Sequence, residues 1–206
     1  MSAKKTIYII RHGETDYNKQ GIIQGSGIDS SLNDTGRLQS EMFYEAYNHL
    51  HFDNIYTSAL KRTQESIHPF VRAGRKYEII PELNEINWGI FEGLKTNPES
   101  HQIYLNMVEN WKSGLLDRAV EGGETPNQMM KRQKAGLEKL LARENERQIL
   151  ICMHGRAMRS FLCLLTGTPL QQMDIYKHTN LCLYVVQQNE TKFNVLEHNL
   201  SQHLRK

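Results

Sequence analysis

Two short apolar runs, each ending in a His-Gly pair, constrain this chain more than any other feature of its sequence. The run IYII leads into the letters RHG, which contain His12, and the run ILICM leads into the second pair, which begins with His154. A continuous run of β-branched and apolar residues predicts a strand that is buried on both faces. Ligands of parallel sheets bind beyond the carboxyl ends of the strands. If the two strands are neighbours, we expect both histidines to face one crevice.

Capping residues predict where the helices begin. Asn33 is the predicted N-cap of a helix whose apolar stripe starts at Leu38. Ser58 is the predicted cap of the next helix, which carries Arg62. The letters TPNQ, which start at Thr125, predict a capping box with proline in the first turn of a further helix.

The order of strands and helices predicts the fold class. Further strands are predicted around 54–56 and 78–81, and the tail is typical of two strands joined at 189–191. Strands alternate with helices along most of the chain, which predicts an α/β fold with a mostly parallel central sheet and helices on both faces. A polar helical pattern at about 94–122 predicts a small helical lobe. We expect residues 1–206 to form a single domain around that sheet.

The composition restricts the class of protein. A net charge of +2 is too small to indicate nucleic acid or a membrane as a partner, so any positive site must be local. No apolar stretch approaches the roughly 20 residues of a membrane span, and we expect no signal peptide. Three cysteines without close spacing indicate reduced thiols in a cytoplasmic protein. The nine histidines include no helical pair that flanks an acidic residue, so we expect no metal.

Segments along nearly the whole chain resemble the histidine phosphatase superfamily, the phosphoglycerate mutase-like proteins. They read IIRHGETDYN, QGSGIDSSLNDTGRLQ, YTSALKRTQES, ELNEINWGIFEG, EGGETPNQMMKR and ILICMHGRAMR. The segment EGGETPNQMMKR is similar to the smaller phosphatase members of that family. The resemblance implies a phosphoglycerate mutase-like fold in which the helical lobe lies over the active site.

The resemblance implies a catalytic role for five residues. His12 would attack phosphorus and become a phosphohistidine, and Glu85 would protonate the leaving oxygen. Arg11 and Arg62 would hold the nonbridging oxygens, and His154 would add a third donor. Phosphoryl transfer needs a neutral nucleophile, cations around the phosphoryl oxygens and an acid for the leaving alkoxide, so the chemistry agrees with this set. No cofactor is implied.

The set expected to bind phosphate or substrate is larger. It comprises Arg11, Asn18, Gln24, Gly25, Arg62, His154, Gly155 and Arg156. Taken alone, Arg62 would be typical of a solvated charge on an exposed helix face. Glu82 and Glu92 are alternatives to Glu85 within one segment, although the position of Glu92 beside a glycine favours a structural role.

Arg156 departs from the family pattern, which more often has a small or neutral residue after the second His-Gly pair. One interpretation is an arginine turned to solvent. The other is a third cation at the rim of the pocket, which would favour a substrate with a second negative group. The sequence leaves both interpretations open.

The signature residues do not separate phosphatases from mutases. Cofactor-dependent mutases of the family carry a longer insertion between the acidic residue and the second histidine, whereas Glu85 and His154 are 69 positions apart. We therefore favour a metal-independent phosphomonoester hydrolase that acts on a small phosphorylated metabolite, with a mutase-type phosphotransferase as the alternative. A noncatalytic phosphate-binding protein would be expected to lack a member of the catalytic set, and this chain has every member. A homodimer is left open.

Overall fold

A six-stranded sheet lies at the centre of the protein. The computed structural model describes residues 4–190 and 192–205. The strands are β1 (Thr6–Arg11), β2 (Asn54–Thr57), β3 (Tyr77–Ile79), β4 (Gln148–Met153), β5 (Leu183–Asn189) and β6 (Lys192–Leu200). They lie in the order β3-β2-β4-β1-β5-β6. The first four of these are mutually parallel, and β5 and β6 are antiparallel to their neighbours.

Helices cover both faces of this sheet. They are α1 (Asp16–Gln20), α2 (Asp34–Tyr47), α3 (Lys61–Ser66), α4 (His68–Arg72), α5 (Pro98–Lys112), α6 (Pro126–Leu141) and α7 (Gly155–Thr166). Successive strand side chains point to opposite faces, so Ile9 belongs to the core on the side of Phe161 of α7, while Ile10 belongs to the core on the side of Phe43 of α2. The predicted α/β class and mostly parallel sheet are confirmed. The predicted tail turn at 189–191 includes residue 191, which lies outside the described residues.

The register of β1 against β4 aligns the two strand ends that carry histidine. Arg11 lies opposite Met153 in the parallel pairing, and the His12 N–H donates to the Met153 carbonyl at 3.0 Å. β1 and β4 therefore end at the same edge of the sheet, with His12 and His154 as the next residues along the chain.

The helix starts follow the predicted caps at two of three positions. The Asn33 side chain accepts from the backbone N–H of Gly36, and Thr125 forms both bonds of a capping box. The prediction for Ser58 was wrong. α3 is preceded by Leu60 as its N-cap, and the Ser58 hydroxyl instead contacts the ring of His154.

The buried face of α2 also differs from the predicted stripe. Leu38 is 52% exposed, and the buried residues are Gly36, Ser40 and Phe43. A Cβ atom on Gly13 would lie 2.7 Å from the carbonyl oxygen of Gly36. Helix α2 therefore buries small residues where it contacts the loop after β1. This contact, and not the apolar stripe, determines which face of the helix is buried.

A short helix, α1, was not predicted within the polar loop after β1. Thr15 caps it by accepting from the N–H of Asn18, and the Asn18 side chain accepts from the N–H of Thr15. The letters TDYN carry this reciprocal cap, which was the signal available in the sequence.

Helix α5 lies within the predicted helical lobe. A capping box at Asn97 starts it, and Trp111 packs on Trp88 with ring centroids 5.7 Å apart. Tyr104 of α5 reaches a cavity beside Glu85. In the described part of the chain, no helix has the length and apolar character needed to cross a membrane.

Candidate active site

The two strand-end histidines lie side by side below the surface. Their ring centroids are 5.2 Å apart, and the exposed fractions are 3% for His12 and 0% for His154. The neighbouring positions of β1 and β4 therefore bring the two rings together, as the sequence predicts, while their facing a common crevice stays a prediction.

A backbone carbonyl determines the tautomer of His12. Its Nδ1 lies 2.7 Å from the carbonyl oxygen of Gly13. A carbonyl only accepts, so Nδ1 carries the proton and Nε2 keeps a lone pair. Burial, and then the charges of Arg11 and Arg62, lower the pKa of His12 well below its usual value. The ring is therefore neutral at physiological pH, as a nucleophile requires.

Arg62 is fully buried, so the solvated-charge interpretation was wrong. Its Nη1 and Nη2 donate to the carbonyl oxygens of Ile28 and Gly25 at 2.6 and 3.1 Å. Its Nε donates to Nδ1 of His154 at 3.2 Å. Burial lowers the pKa of Arg62 to about 10, which leaves the guanidinium charged at neutral pH.

The contact with Arg62 determines the tautomer of His154. Because Nδ1 accepts from Arg62, the proton of the neutral ring lies on Nε2, which donates to the Ser58 hydroxyl at 2.7 Å. Burial, and then the charge of Arg62, lower the pKa of His154 well below its usual value. Both ring nitrogens are engaged within the protein, so this ring orients Arg62. Its role as a phosphate donor stays a prediction.

Arg11 contacts a third histidine that the sequence did not reveal. Its Nη1 lies 3.4 Å from Nδ1 of His178, and its buried Nε has no acceptor among the described residues. Burial, and then the charge of Arg11, lower the pKa of His178 to about 3. A Cβ atom on Gly155 would lie 2.7 Å from the His178 ring, which explains the glycine at this position. No local pattern marks His178, because it lies in an irregular segment before β5.

Glu85 is the acid that the fold brings into the site. Its Oε1 accepts from the N–H groups of Ile86 and Ala157 at 2.9 and 2.8 Å, and its Oε2 accepts from the N–H of Arg156 at 3.1 Å. Two of these donors lie in the first turn of α7, where free N–H groups favour an anion. Only 7% of the residue is exposed, so its carboxylate is held in a defined position.

The two competing acids have other partners. Glu82 forms an ion pair with Lys139 on α6. Glu92 accepts from the N–H of Trp88 at 3.0 Å and fills the space where a Cβ atom on Gly25 would lie. Glu92 therefore supports the loop whose Gly25 carbonyl holds Arg62.

The remaining predicted residues line or support the site. Asn18 accepts at its Oδ1 from Asn180, whose amide also donates to the carbonyl oxygen of His12 at 3.0 Å. Gln24 donates to the Thr15 hydroxyl at 2.7 Å and lines the cavity. Their contacts with phosphate stay predictions.

The structure rules out one of the two interpretations of Arg156. It is 6% exposed, so it does not turn to solvent. Its Nη1 donates to Asp174 at 2.7 Å, and its Nη2 donates to the Tyr104 hydroxyl at 2.6 Å. Its guanidinium lies 5.4 Å from the ring of Trp111. Arg156 also lines the cavity, so its role as a third cation at the rim stays a prediction.

Two cavities meet at Glu85. The one shared with Arg11, Gly155 and Arg156 has a volume of about 250 Å³, and a second cleft of about 350 Å³ extends toward Arg132. The first lies next to the histidine pair and has room for the leaving group of a small phosphate ester. Within the described ranges, no group of three or more His, Cys, Asp and Glu side chains is arranged to hold a metal ion.

Comparison with known proteins identifies the family of this chain. Residues 7–201 match the family model of the histidine phosphatase superfamily, branch 1. A protein of Schizosaccharomyces pombe named as a probable phosphatase is 34% identical over 111 residues, which are 53% of this chain and 53% of that protein. Phosphoserine phosphatase 1 of Hydrogenobacter thermophilus is 26% identical and covers 96% of this chain and 93% of its own length. A probable phosphoglycerate mutase, GpmB, of Erwinia tasmaniensis is 29% identical over 79% of this chain and 75% of its own.

The fold is shared with solved structures. The α-ribazole phosphatase of Shigella flexneri superposes with a TM-score of 0.83 at 22% identity, over 95% of this chain and 96% of that one. This likeness confirms the predicted phosphoglycerate mutase-like fold. Because the family model spans nearly the whole chain, the protein is an enzyme that belongs to branch 1 of the histidine phosphatase superfamily.

Proposed function

We propose that this enzyme is a metal-independent phosphomonoesterase that hydrolyses a small phosphorylated metabolite through a phosphohistidine on His12. One observation carries the proposal. The His12 ring is neutral, its Nδ1 is bound to the Gly13 carbonyl so that Nε2 keeps the lone pair, and the Arg11 and Arg62 guanidinium groups are near enough to lower its pKa. A nucleophile of this kind needs no metal to deprotonate it, and the guanidinium groups supply the positive charge that the phosphoryl oxygens require.

The first step transfers the phosphoryl group to His12. Nε2 donates its lone pair to phosphorus while the bond from phosphorus to the leaving oxygen breaks. Arg11 and Arg62 hold the nonbridging oxygens. Glu85, in its protonated form, gives its proton to the leaving oxygen, so the alcohol departs neutral. The products of this step are the alcohol, a phosphohistidine and the Glu85 carboxylate.

The second step returns the enzyme to its starting state. The Glu85 carboxylate takes a proton from water as the water oxygen bonds to phosphorus and the P–N bond breaks. His12 recovers its lone pair, Glu85 recovers its proton and inorganic phosphate leaves. The hydrogen bonds that hold Glu85 support its use as the base of this step, because they keep the carboxylate beside the cavity.

Two features favour hydrolysis over a mutase reaction. The segment between Glu85 and His154 is short, and its lobe contributes one long helix, α5. A short lobe leaves the pocket open to water, which is the acceptor in hydrolysis. The similar proteins include phosphatases and a probable phosphoglycerate mutase, so the acceptor has to be determined by experiment.

The test is a screen of phosphorylated metabolites that measures release of inorganic phosphate with and without a chelator. We expect release from at least one small monoester, unchanged by the chelator. A rapid-quench experiment with the best substrate should trap a phosphoenzyme that is labile in acid and stable in base, and His12→Asn should abolish it. An acid-stable phosphoenzyme, a chelator-sensitive rate or transfer of phosphate to a second metabolite without net release would refute the proposal.

A further inference from the structure

The cavity beside Glu85 holds more positive charge than one phosphate group needs. Three guanidinium groups line it, from Arg11, Arg156 and Arg159. Arg11 is assigned to the reacting phosphate in the proposed function. The charges of Arg156 and Arg159 on the same cavity therefore need an explanation of their own.

A single carboxylate lies between these two arginines. Asp174 belongs to the 3₁₀ turn Leu170–Ile175, and its Oδ1 accepts from Nη1 of both Arg156 and Arg159. One negative charge between two positive charges leaves a net charge of +1 at the wall of the cavity. The positive field also reaches His178, whose pKa is lowered first by burial and then by Arg11 and Arg159.

The two arginines differ in how many of their donors are occupied. Arg156 has separate acceptors for Nη1 and Nη2, and Tyr104 and Trp111 flank its guanidinium. Arg159 has Asp174 as its one acceptor among the described residues, and its buried Nε has none. A buried donor without an acceptor is unfavourable, so Arg159 gains from an additional anion in a way that Arg156 does not.

We infer that Arg159 is a specificity-determining residue that binds a second anionic group, a carboxylate or a phosphate, on the leaving group of the substrate. This inference rests on the proposed function and adds the substrate class, a small phosphomonoester with a second negative charge. It moves the role of the extra cation from Arg156, one of the two interpretations that the sequence left open, to the next turn of the same helix. Arg156 instead positions Asp174 and ties α5 to α7 through Tyr104.

The test compares two matched pairs of substrates. Glycerol 3-phosphate and 3-phosphoglycerate share a three-carbon chain and differ by a carboxylate, whereas fructose 6-phosphate and fructose 1,6-bisphosphate differ by a second phosphate. The wild type should prefer the doubly anionic member of at least one pair. Arg159→Met should reduce kcat/KM for that member by about 10- to 150-fold, mostly through KM, and change the singly anionic member by less than about threefold.

Three controls separate binding from a structural role. Arg159→Lys should retain part of the preference, because it keeps the charge and loses the planar fork. Asp174→Asn removes the competing carboxylate, so the preference should persist or increase. Arg156→Met should lower kcat/KM for both members of a pair alike, because it loosens the cavity wall.

The outcomes decide between the inference and the function on which it rests. No preference in either pair, or an equal loss on both members in Arg159→Met, would overturn the anion site. A preference that survives in Arg159→Met but disappears in Arg156→Met would return the role to Arg156. If the wild type hydrolyses none of the four compounds and no p-nitrophenyl phosphate either, the proposed function fails, and the inference fails with it.

Discussion

Replacing Glu85 by glutamine tests the most demanding part of the proposed chemistry, the proton given to the leaving group. The variant keeps the size of the side chain but has no acidic proton. Loss of a general acid lowers the rate of such a step by about 10²- to 10⁴-fold, or about 2.7–5.5 kcal/mol. The loss should be large for glycerol 3-phosphate, whose alkoxide needs protonation, and within about tenfold for p-nitrophenyl phosphate, whose leaving group does not.

The structure also predicts a moderate effect of this change on stability. The Glu85 carboxylate accepts three backbone N–H groups, and two of them share Oε1. In glutamine the amide oxygen can keep those two, but the NH₂ group then faces the N–H of Arg156. One buried donor loses its acceptor, which costs about 1–3 kcal/mol. Urea unfolding should therefore show a destabilised but folded variant.

The assay should report kcat/KM, because this constant covers the steps up to phosphoryl transfer to His12 and excludes hydrolysis of the phosphoenzyme. Glu82→Gln is the matched control, since this acid lies in the same segment and pairs with Lys139. The control should retain activity on both substrates within about threefold. An equal loss of kcat/KM on both substrates in Glu85→Gln, or a leaving-group dependence in Glu82→Gln, would refute the assignment of the acid.

Two further predictions follow from burial and close contact. The folded chain keeps three histidines neutral, because the pKa values of His12, His154 and His178 are lowered. In the unfolded chain the same side chains protonate near pH 6.5. The free energy of unfolding should therefore fall by about 2 kcal/mol per histidine between pH 8 and pH 5. Urea unfolding at both pH values measures this, and His178→Gln should reduce the fall by about 2 kcal/mol. An unchanged pH dependence would contradict the buried neutral state of that ring. Gly25→Ala would place a Cβ atom 2.6 Å from the carbonyl oxygen of Ile86, so it should cost about 1–3 kcal/mol of stability. It should also lower kcat/KM, because it displaces the carbonyl that holds Arg62. Wild-type values for both quantities in this variant would show that the loop can relax.

Several features of the site were predictable from the sequence because they depend on residues close together in the chain. The apolar runs before His12 and His154 specify two buried strands, and the strand-end position of each histidine follows directly. The cap at Thr125 depends on a side chain and a backbone N–H three residues apart. Local geometry determines such contacts, so local patterns predict them. The polar helix α1 was missed, although its cap at Thr15 has the same local origin.

The contacts that decide the chemistry join residues far apart in the chain, and only the tertiary structure could place them. The order of the strands makes β1 and β4 neighbours, and this brings His154 beside His12 across 142 positions. Arg62, taken alone, would be typical of a surface charge. In the fold it is buried, and a hydrogen bond to the Gly25 carbonyl holds its guanidinium in place. The packing of the turn Leu170–Ile175 on α7 gave Arg156 a carboxylate partner that no local pattern indicates. The sequence by itself therefore determined the strands, the helix starts at Asn33 and Thr125 and the strand-end positions of the two histidines, because these depend on neighbours in the chain. The tertiary structure alone decided their tautomers, ion pairs and burial, because these depend on what packs against each group.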